Sequence, residues 1–193
     1  MKKVLIIAVL AAAAFGIYSF TLSRPSVAAN IATKIDTSAE TVAAAPVKWY
    51  TWNEAIEASK TKPKKIIVDV YTDWCGWCKV MDRETFPNAE VAAYLNANFY
   101  AVKFNAEQRE EITFNGQKFN YVVQGKGGYH TLAATLLDGQ MSYPTVVYLN
   151  EKYERIMISP GYKKPEDLMK ELKYTSEEQY SKITFDEYRA KSK

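Results

Sequence analysis

The sequence predicts an α/β domain in which a central mixed β-sheet is flanked by helices and carries a β-hairpin insertion. Two runs, Lys65–Tyr71 and Phe99–Phe104, are apolar on both faces and rich in β-branched or aromatic residues, as strands covered on both sides should be. Helical stretches separate them, which favours parallel pairing. Two further runs, Val146–Leu149 and Tyr153–Ile158, are joined only by Asn150-Glu151-Lys152, which favours an antiparallel pair.

Each element has a local reason. Thr51-Trp52-Asn53-Glu54 fits a capping box, so a helix should run from Trp52 to about Lys60 and stop before Pro63. The first buried strand feeds Trp74-Cys75-Gly76-Trp77-Cys78, which opens a helix reaching about Thr85. Pro87-Asn88 interrupts it, and Asn88 can cap a second stretch, Ala89 to Asn96. After the second strand, Ile112–Phe114 and Lys118–Val123 flank Asn115-Gly116, a strong hairpin signal. Gly125-Lys126-Gly127-Gly128 reads as a mobile corner before a helix from about Tyr129 to Leu137. Pro165 in a first turn starts a helix to about Tyr174, and Thr184–Glu187 forms a second capping box in a short helical tail.

These pieces give a domain plan: residues 1–29 a leader, 30–46 a flexible Ala/Thr/Ser-rich tether, 47–175 the folded domain with its insertion at about 106–129, and 176–193 the tail. The leader opens on Met1-Lys2-Lys3, continues uncharged from Val4 to Leu22, and meets the small-residue site Val27-Ala28-Ala29. A cleaved signal peptide and a retained N-terminal membrane anchor both fit. Either places the domain outside the cytoplasm, in a periplasm or on the outer face of the cytoplasmic membrane. Among the 193 residues, 25 basic and 22 acidic side chains leave a formal charge of +3 that is not concentrated in one patch, so no nucleic-acid partner is expected.

The chain has two cysteines, Cys75 and Cys78, and one histidine, His130. An exported protein braced by disulfides carries more cysteines at wider spacing, and a bond across so short a loop constrains the unfolded chain little. A closed zinc site needs four ligands, so no metal and no cofactor are expected. Redox chemistry explains the pair better. A thiolate attacks a disulfide, and Cys75 stands where a helix begins, with unpaired N–H groups and the positive end of the dipole to stabilise the anion. Cys75 is then the exposed nucleophile, and Cys78, one turn on, resolves the mixed disulfide, leaving a Cys75–Cys78 redox disulfide. Trp74 and Trp77 would form an apolar rim that binds substrate polypeptide. His130 reads as a surface or helix-start residue.

The run Ile67–Lys79, with Asp69 six residues before Cys75, Val102-Lys103-Phe104-Asn105, Tyr143-Pro144-Thr145 and Gly161 resembles the thioredoxin superfamily, over roughly Trp49 to Tyr174. Tyr71–Cys75 and Glu84-Thr85-Phe86 are similar to exported thioredoxin-like proteins and to the C-terminal periplasmic domain of the membrane thiol–disulfide interchange protein. The resemblance implies a thioredoxin fold and a cis peptide before Pro144, beside which Tyr143 would pair with an extended substrate. It implies that Asp69 is a buried proton acceptor for Cys78, tuned by Lys103. It further implies a protein disulfide reductase that receives electrons from a membrane thiol–disulfide donor and passes them to oxidised protein disulfides. Gly76-Trp77 replaces the Gly-Pro of thioredoxin between the cysteines, so an oxidase or isomerase stays open, as does a non-catalytic binding module presenting the hairpin.

Overall fold

A computed structural model describes residues 45–192. The leader, and the tether up to residue 44, lie outside this range. Among the described residues no helix is long and apolar enough to cross a membrane.

The elements are β1 (Trp49–Tyr50), α1 (Trp52–Thr61), β2 (Lys65–Tyr71), α2 (Gly76–Glu84), α3 (Ala89–Asn98), β3 (Phe99–Asn105), β4 (Ile112–Phe114), β5 (Gln117–Phe119), β6 (Tyr121–Gln124), β7 (Gly127–His130), α4 (Thr131–Leu136), β8 (Thr145–Leu149), β9 (Arg155–Pro160), α5 (Pro165–Ser176), a 3-10 turn at Gln179–Ser181 and α6 (Phe185–Lys191). The main sheet has the order β1-β3-β2-β8-β9. Its first three strands are parallel and β8 and β9 run antiparallel, so it is mixed. The helix caps follow the sequence. Thr51 and Glu54 cap each other's backbone N–H groups at α1, Thr184 and Glu187 do the same at α6, and the Asn88 carboxamide oxygen accepts from Glu90 and Val91 at α3.

The central strand β2 is buried from Lys65 to Val70, and its two faces serve different layers. Ile66, Val68 and Val70 pack with Trp52 and Ala55 of α1 and with Leu132, Ala133 and Leu136 of α4. Ile67 packs on the opposite face with Met81 of α2, Val91 and Leu95 of α3, and Leu168 and Leu172 of α5. Alternation along the strand puts Asp69 on this second face, under the helix that bears the cysteines.

Two sequence expectations need correction. The insertion is not one hairpin and a glycine corner but two hairpins, β4–β5 and β6–β7. Asn120 ends the first pairing: its N–H turns to the Thr131 hydroxyl (3.0 Å) and its carbonyl accepts from the Thr131 N–H (2.9 Å). The glycines then serve the second hairpin. Gly125 takes a positive φ of 61° in the turn, and a Cβ on Gly128 would lie 2.3 Å from the Val122 carbonyl and 2.5 Å from the Tyr121 ring. The following helix therefore starts at Thr131, not Tyr129. In the second correction, the last strand begins at Arg155, because Asn150 accepts the N–H groups of Lys152 and Glu154 and holds Tyr153 in the turn at a φ of 65°.

Candidate active site

Strand β2 delivers Tyr71 to one end of the sheet, and Thr72–Trp74 lead straight into α2. Cys75 occupies the N-cap: its Sγ accepts the N–H of Cys78 (3.1 Å), which places the sulfur against the positive end of the helix. The two cysteines, with Cα atoms 5.4 Å apart, are joined in a disulfide.

The expectation of an exposed Cys75 is corrected in this oxidised state. Cys75 is 5% exposed and Cys78 2%. Cys75 turns its sulfur back over its own helix to accept the Cys78 N–H, and the bond to Cys78 covers part of its remaining surface. Exposure belongs instead to the neighbours. Trp74 and Trp77 are 66% and 61% exposed, against the burial usual for such large apolar groups. Each indole has an aromatic partner: Trp74 meets Tyr143 edge-on at 5.8 Å, and Trp77 lies against Tyr162 at 5.3 Å. The Trp74 indole N–H also donates to Glu107 (2.9 Å).

Tyr143-Pro144 is a cis peptide, and the Pro144 carbonyl accepts the N–H of Gly161 (2.8 Å). Gly161 has a φ of 88°, a conformation that suits glycine. Burial, reinforced by the Glu107 charge, pushes the Tyr143 phenol up to about 12.

Below the cysteine helix, Asp69 and Lys103 are register partners on β2 and β3, so their side chains share a face. The Lys103 ammonium donates to Asp69 Oδ2 at 2.6 Å and also bridges to Asp82. Asp82 follows Cys78 by four residues on the same side of α2, so Lys103 joins the buried acid to the face of the helix that carries Cys78. Asp69 Oδ1 has no hydrogen-bond partner among the described residues. Burial holds the Asp69 carboxyl above its ordinary value, outweighing Lys103. Burial pulls Lys103 down, but Asp69 and Asp82 outweigh it and hold the ammonium above its usual value.

The structure thus gathers Cys75, Cys78, Trp74, Tyr143 and Pro144 at one end of the sheet, with Trp77 beside them and Asp69 and Lys103 beneath. His130 stands apart. It is buried at the start of α4, where its Nδ1 accepts from Leu132 (3.2 Å) and its Nε2 meets the Glu110 carbonyl (2.9 Å). Four neighbours escaped the sequence reading: Asp82, Glu107, Tyr162 and Lys163. The spacing of Asp82 from Cys78 was a usable signal. The others reach the site only through tertiary contacts and left none.

Residues 34–188 match the model of the Thioredox_DsbH family, described as "Protein of unknown function, DUF255". The chain belongs to this family. Among curated proteins similar to it are the Uncharacterized protein B0495.5 of Caenorhabditis elegans, 36% identical over 85 residues, and Spermatogenesis-associated protein 20 of Rattus norvegicus, 34% identical over 85 residues. Each alignment takes in 44% of this chain but only 12% and 11% of those relatives' lengths. Among solved structures, a "DsbH Oxidoreductase" superposes with a TM-score of 0.50 at 18% identity, covering 71% of this chain and 89% of its own. A thioredoxin from Thermus thermophilus gives 0.50 at 19% identity over 67% and 86%. A thioredoxin-fold protein from Helicobacter pylori gives 0.51 at 16% identity over 77% and 86%. The family member described here therefore has the thioredoxin fold, with a disulfide-bonded CxxC pair at the head of α2.

Proposed function

We propose that the chain is a thiol–disulfide oxidoreductase, and within that class a protein disulfide reductase working outside the cytoplasm. The observation that carries this reading is the Cys75–Cys78 disulfide at a helix N-terminus with a buried carboxyl on the sheet face below. The fold it shares with the DsbH oxidoreductase supports the chemistry. The apolar leader supports the location.

In the reduced protein, the Cys75 thiolate, stabilised by the α2 N-terminus, attacks one sulfur of a substrate disulfide. A mixed disulfide forms and the first substrate thiolate leaves. Cys78 then gives its proton to Asp69, and its thiolate attacks the Cys75 sulfur. The second substrate thiolate departs and the Cys75–Cys78 disulfide remains, so two electrons pass to the substrate. A dithiol on a membrane thiol–disulfide donor reduces the pair again, as sustained reduction in an oxidising compartment requires. Trp74, Tyr143, Pro144 and Trp77 form the surface on which the substrate chain lies, with the backbone beside Tyr143 open to an added strand.

Insulin reduction by the pre-reduced chain tests the class. Wild type should precipitate the B chain and Cys75→Ser should not; equal behaviour would refute catalysis. Equilibration of the pair with glutathione tests direction. A potential near about −270 mV supports reduction, whereas one near about −120 mV makes the protein an oxidant.

A further inference from the structure

The segment after β9 is built around a lysine that faces inward. Lys163 is buried, and its ammonium donates to the carbonyls of Ser159 (3.2 Å), Pro160 (2.8 Å) and Gly161 (2.7 Å). An ammonium has three N–H donors, and here all three are spent on consecutive carbonyls, the last two of β9 and that of Gly161. An apolar side chain would cover the end of β9 without losing hydration, so burying a charge is a poor device for stability alone. What the ammonium does is close residues 159–161 into one fixed turn.

The segment 159–163 is tied in three places, one of them at the site. Its Gly161 N–H holds the Pro144 carbonyl. The Lys163 carbonyl accepts the Thr85 hydroxyl (2.6 Å), which ties it to the end of the cysteine helix. Ser159 donates to the buried Glu171 of α5 (2.6 Å), which anchors the turn from behind. Between these ties stands Tyr162, half-buried, its ring against Trp77. Trp74–Tyr143 and Trp77–Tyr162 thus make two aromatic pairs, one next to each cysteine, and in each the indole belongs to the active-site run while the tyrosine comes from the loops joined by Pro144 and Gly161.

We propose that Tyr162 is a further substrate-contact residue and that Lys163 is the positioning residue that holds it there, so that the preferred substrate is a polypeptide whose cysteine is flanked by an aromatic or large aliphatic side chain. Trp77 alone, mostly exposed, would offer a substrate one flat face. Backed by Tyr162, it becomes one wall of a cleft that can grip a bulky neighbour of the attacked cysteine. This rests on the disulfide-exchange reading above.

The test uses the pre-reduced full-length chain in single turnover. Two cyclic disulfide peptides serve as substrates, identical except for Phe or Ser beside the attacked cysteine, with neutral hydroxyethyl disulfide as a third. Wild type should favour the Phe peptide in second-order rate constant. Tyr162→Ala should cut the Phe/Ser ratio about fivefold, as loss of one aromatic contact implies. Lys163→Met should cut it comparably, through weaker half-saturation with the limiting rate retained. Damage to folding lowers the active fraction and leaves the ratio alone. An unchanged ratio in Tyr162→Ala overturns the proposal, and an unchanged ratio in a folded Lys163→Met overturns the part given to Lys163. A Lys163→Met that does not fold would also overturn the part given to Lys163, because the lysine would then serve stability, and Tyr162→Ala would still decide the rest. Failure of wild type on all three substrates would instead bring down the exchange reading.

Discussion

Replacing Asp69 by Asn should make the protein slower and, at alkaline pH, more stable. The structure gives both signs. Asp69 is buried, one of its oxygens lacks a partner among the described residues, and burial outweighs Lys103 in holding its carboxyl above the ordinary value. An acid whose folded value is raised contributes most to stability while protonated: the contribution is complete below the unfolded carboxylate's pKa of about 3.9 and is lost as pH climbs through the folded value. An Asn, neutral throughout, escapes that loss. Removing one partner of a buried pair ordinarily strands the other, but Lys103 keeps Asp82 and partial solvent contact. The gain at pH 8.5 should then be on the order of 1 kcal/mol, a rise in Tm of about 2–4 °C for a chain of this size, and it should vanish towards pH 4. Catalysis should move the other way. Cys78 is sealed from solvent, so bulk water is a poor substitute for the missing base, and general-base removal costs about 10²-fold or more in the resolving step. Attack by Cys75 needs no base, so quenched-flow samples should accumulate mixed disulfide in the variant. Thermal scans at three pH values and trapping of that intermediate check the argument. A variant less stable than wild type at pH 8.5, or one that turns over without accumulating intermediate, would refute it.

Two further outcomes follow from local geometry. Burial holds His130 below its ordinary value, and its Nδ1 must stay unprotonated to accept from Leu132. The unfolded chain therefore binds the proton more tightly, and stability should fall as pH drops through about 6.5 towards the folded value; His130→Gln should flatten the urea midpoint between pH 7.5 and 5. Gly128→Ala should cost about 2 kcal/mol by chemical denaturation, because its new methyl would meet the fixed Val122 carbonyl as well as the Tyr121 ring; a cost below about 0.5 kcal/mol would show that the β6–β7 hairpin yields freely.

Most of the sheet and of the cysteine site could be read from local pattern. β2 and β3 announced themselves because burial on both faces removes polar alternation, and the capping residues Thr51, Asn88 and Thr184 act within four residues of themselves. Cys75, Cys78 and Trp74 are legible for the same reason, since a strand running into a helix fixes where its junction lies. The insertion misled because glycine is ambiguous. Gly125 and Gly128 signal a flexible corner or a tight hairpin equally well, and only the Tyr121 ring over Gly128 decides. Lys163 was invisible because its partners are carbonyls, which carry no side-chain signature. Glu171 was half-visible: it falls between Leu168 and Leu172 on the buried side of α5, where an acid breaks the apolar stripe.

The two faces of the sheet explain why that acid is tolerated. Register places Lys103, Asp69, Val146 and Ser159 in one row across β3, β2, β8 and β9, with Glu171 bonded to Ser159 and to Tyr148 (2.9 Å). The row runs under the helices on the cysteine side. The opposite face, packed on α1 and α4, is filled by Val68, Val102, Val147 and aromatic rings. One layer thus supplies apolar burial, and the other gives up part of it for ionisable groups, Asp69 among them beneath the cysteine helix. Burial raises Glu171 as it raises Asp69, so these two acids of the second face hold their protons more tightly than an ordinary carboxyl does. On the redox reading proposed above, Asp69 is the acid of this row that lies under the cysteine helix, placed to exchange a proton with Cys78. Apolar replacements on the α1 face should therefore shift stability alone, while Asp69→Asn should shift the pH dependence of the potential.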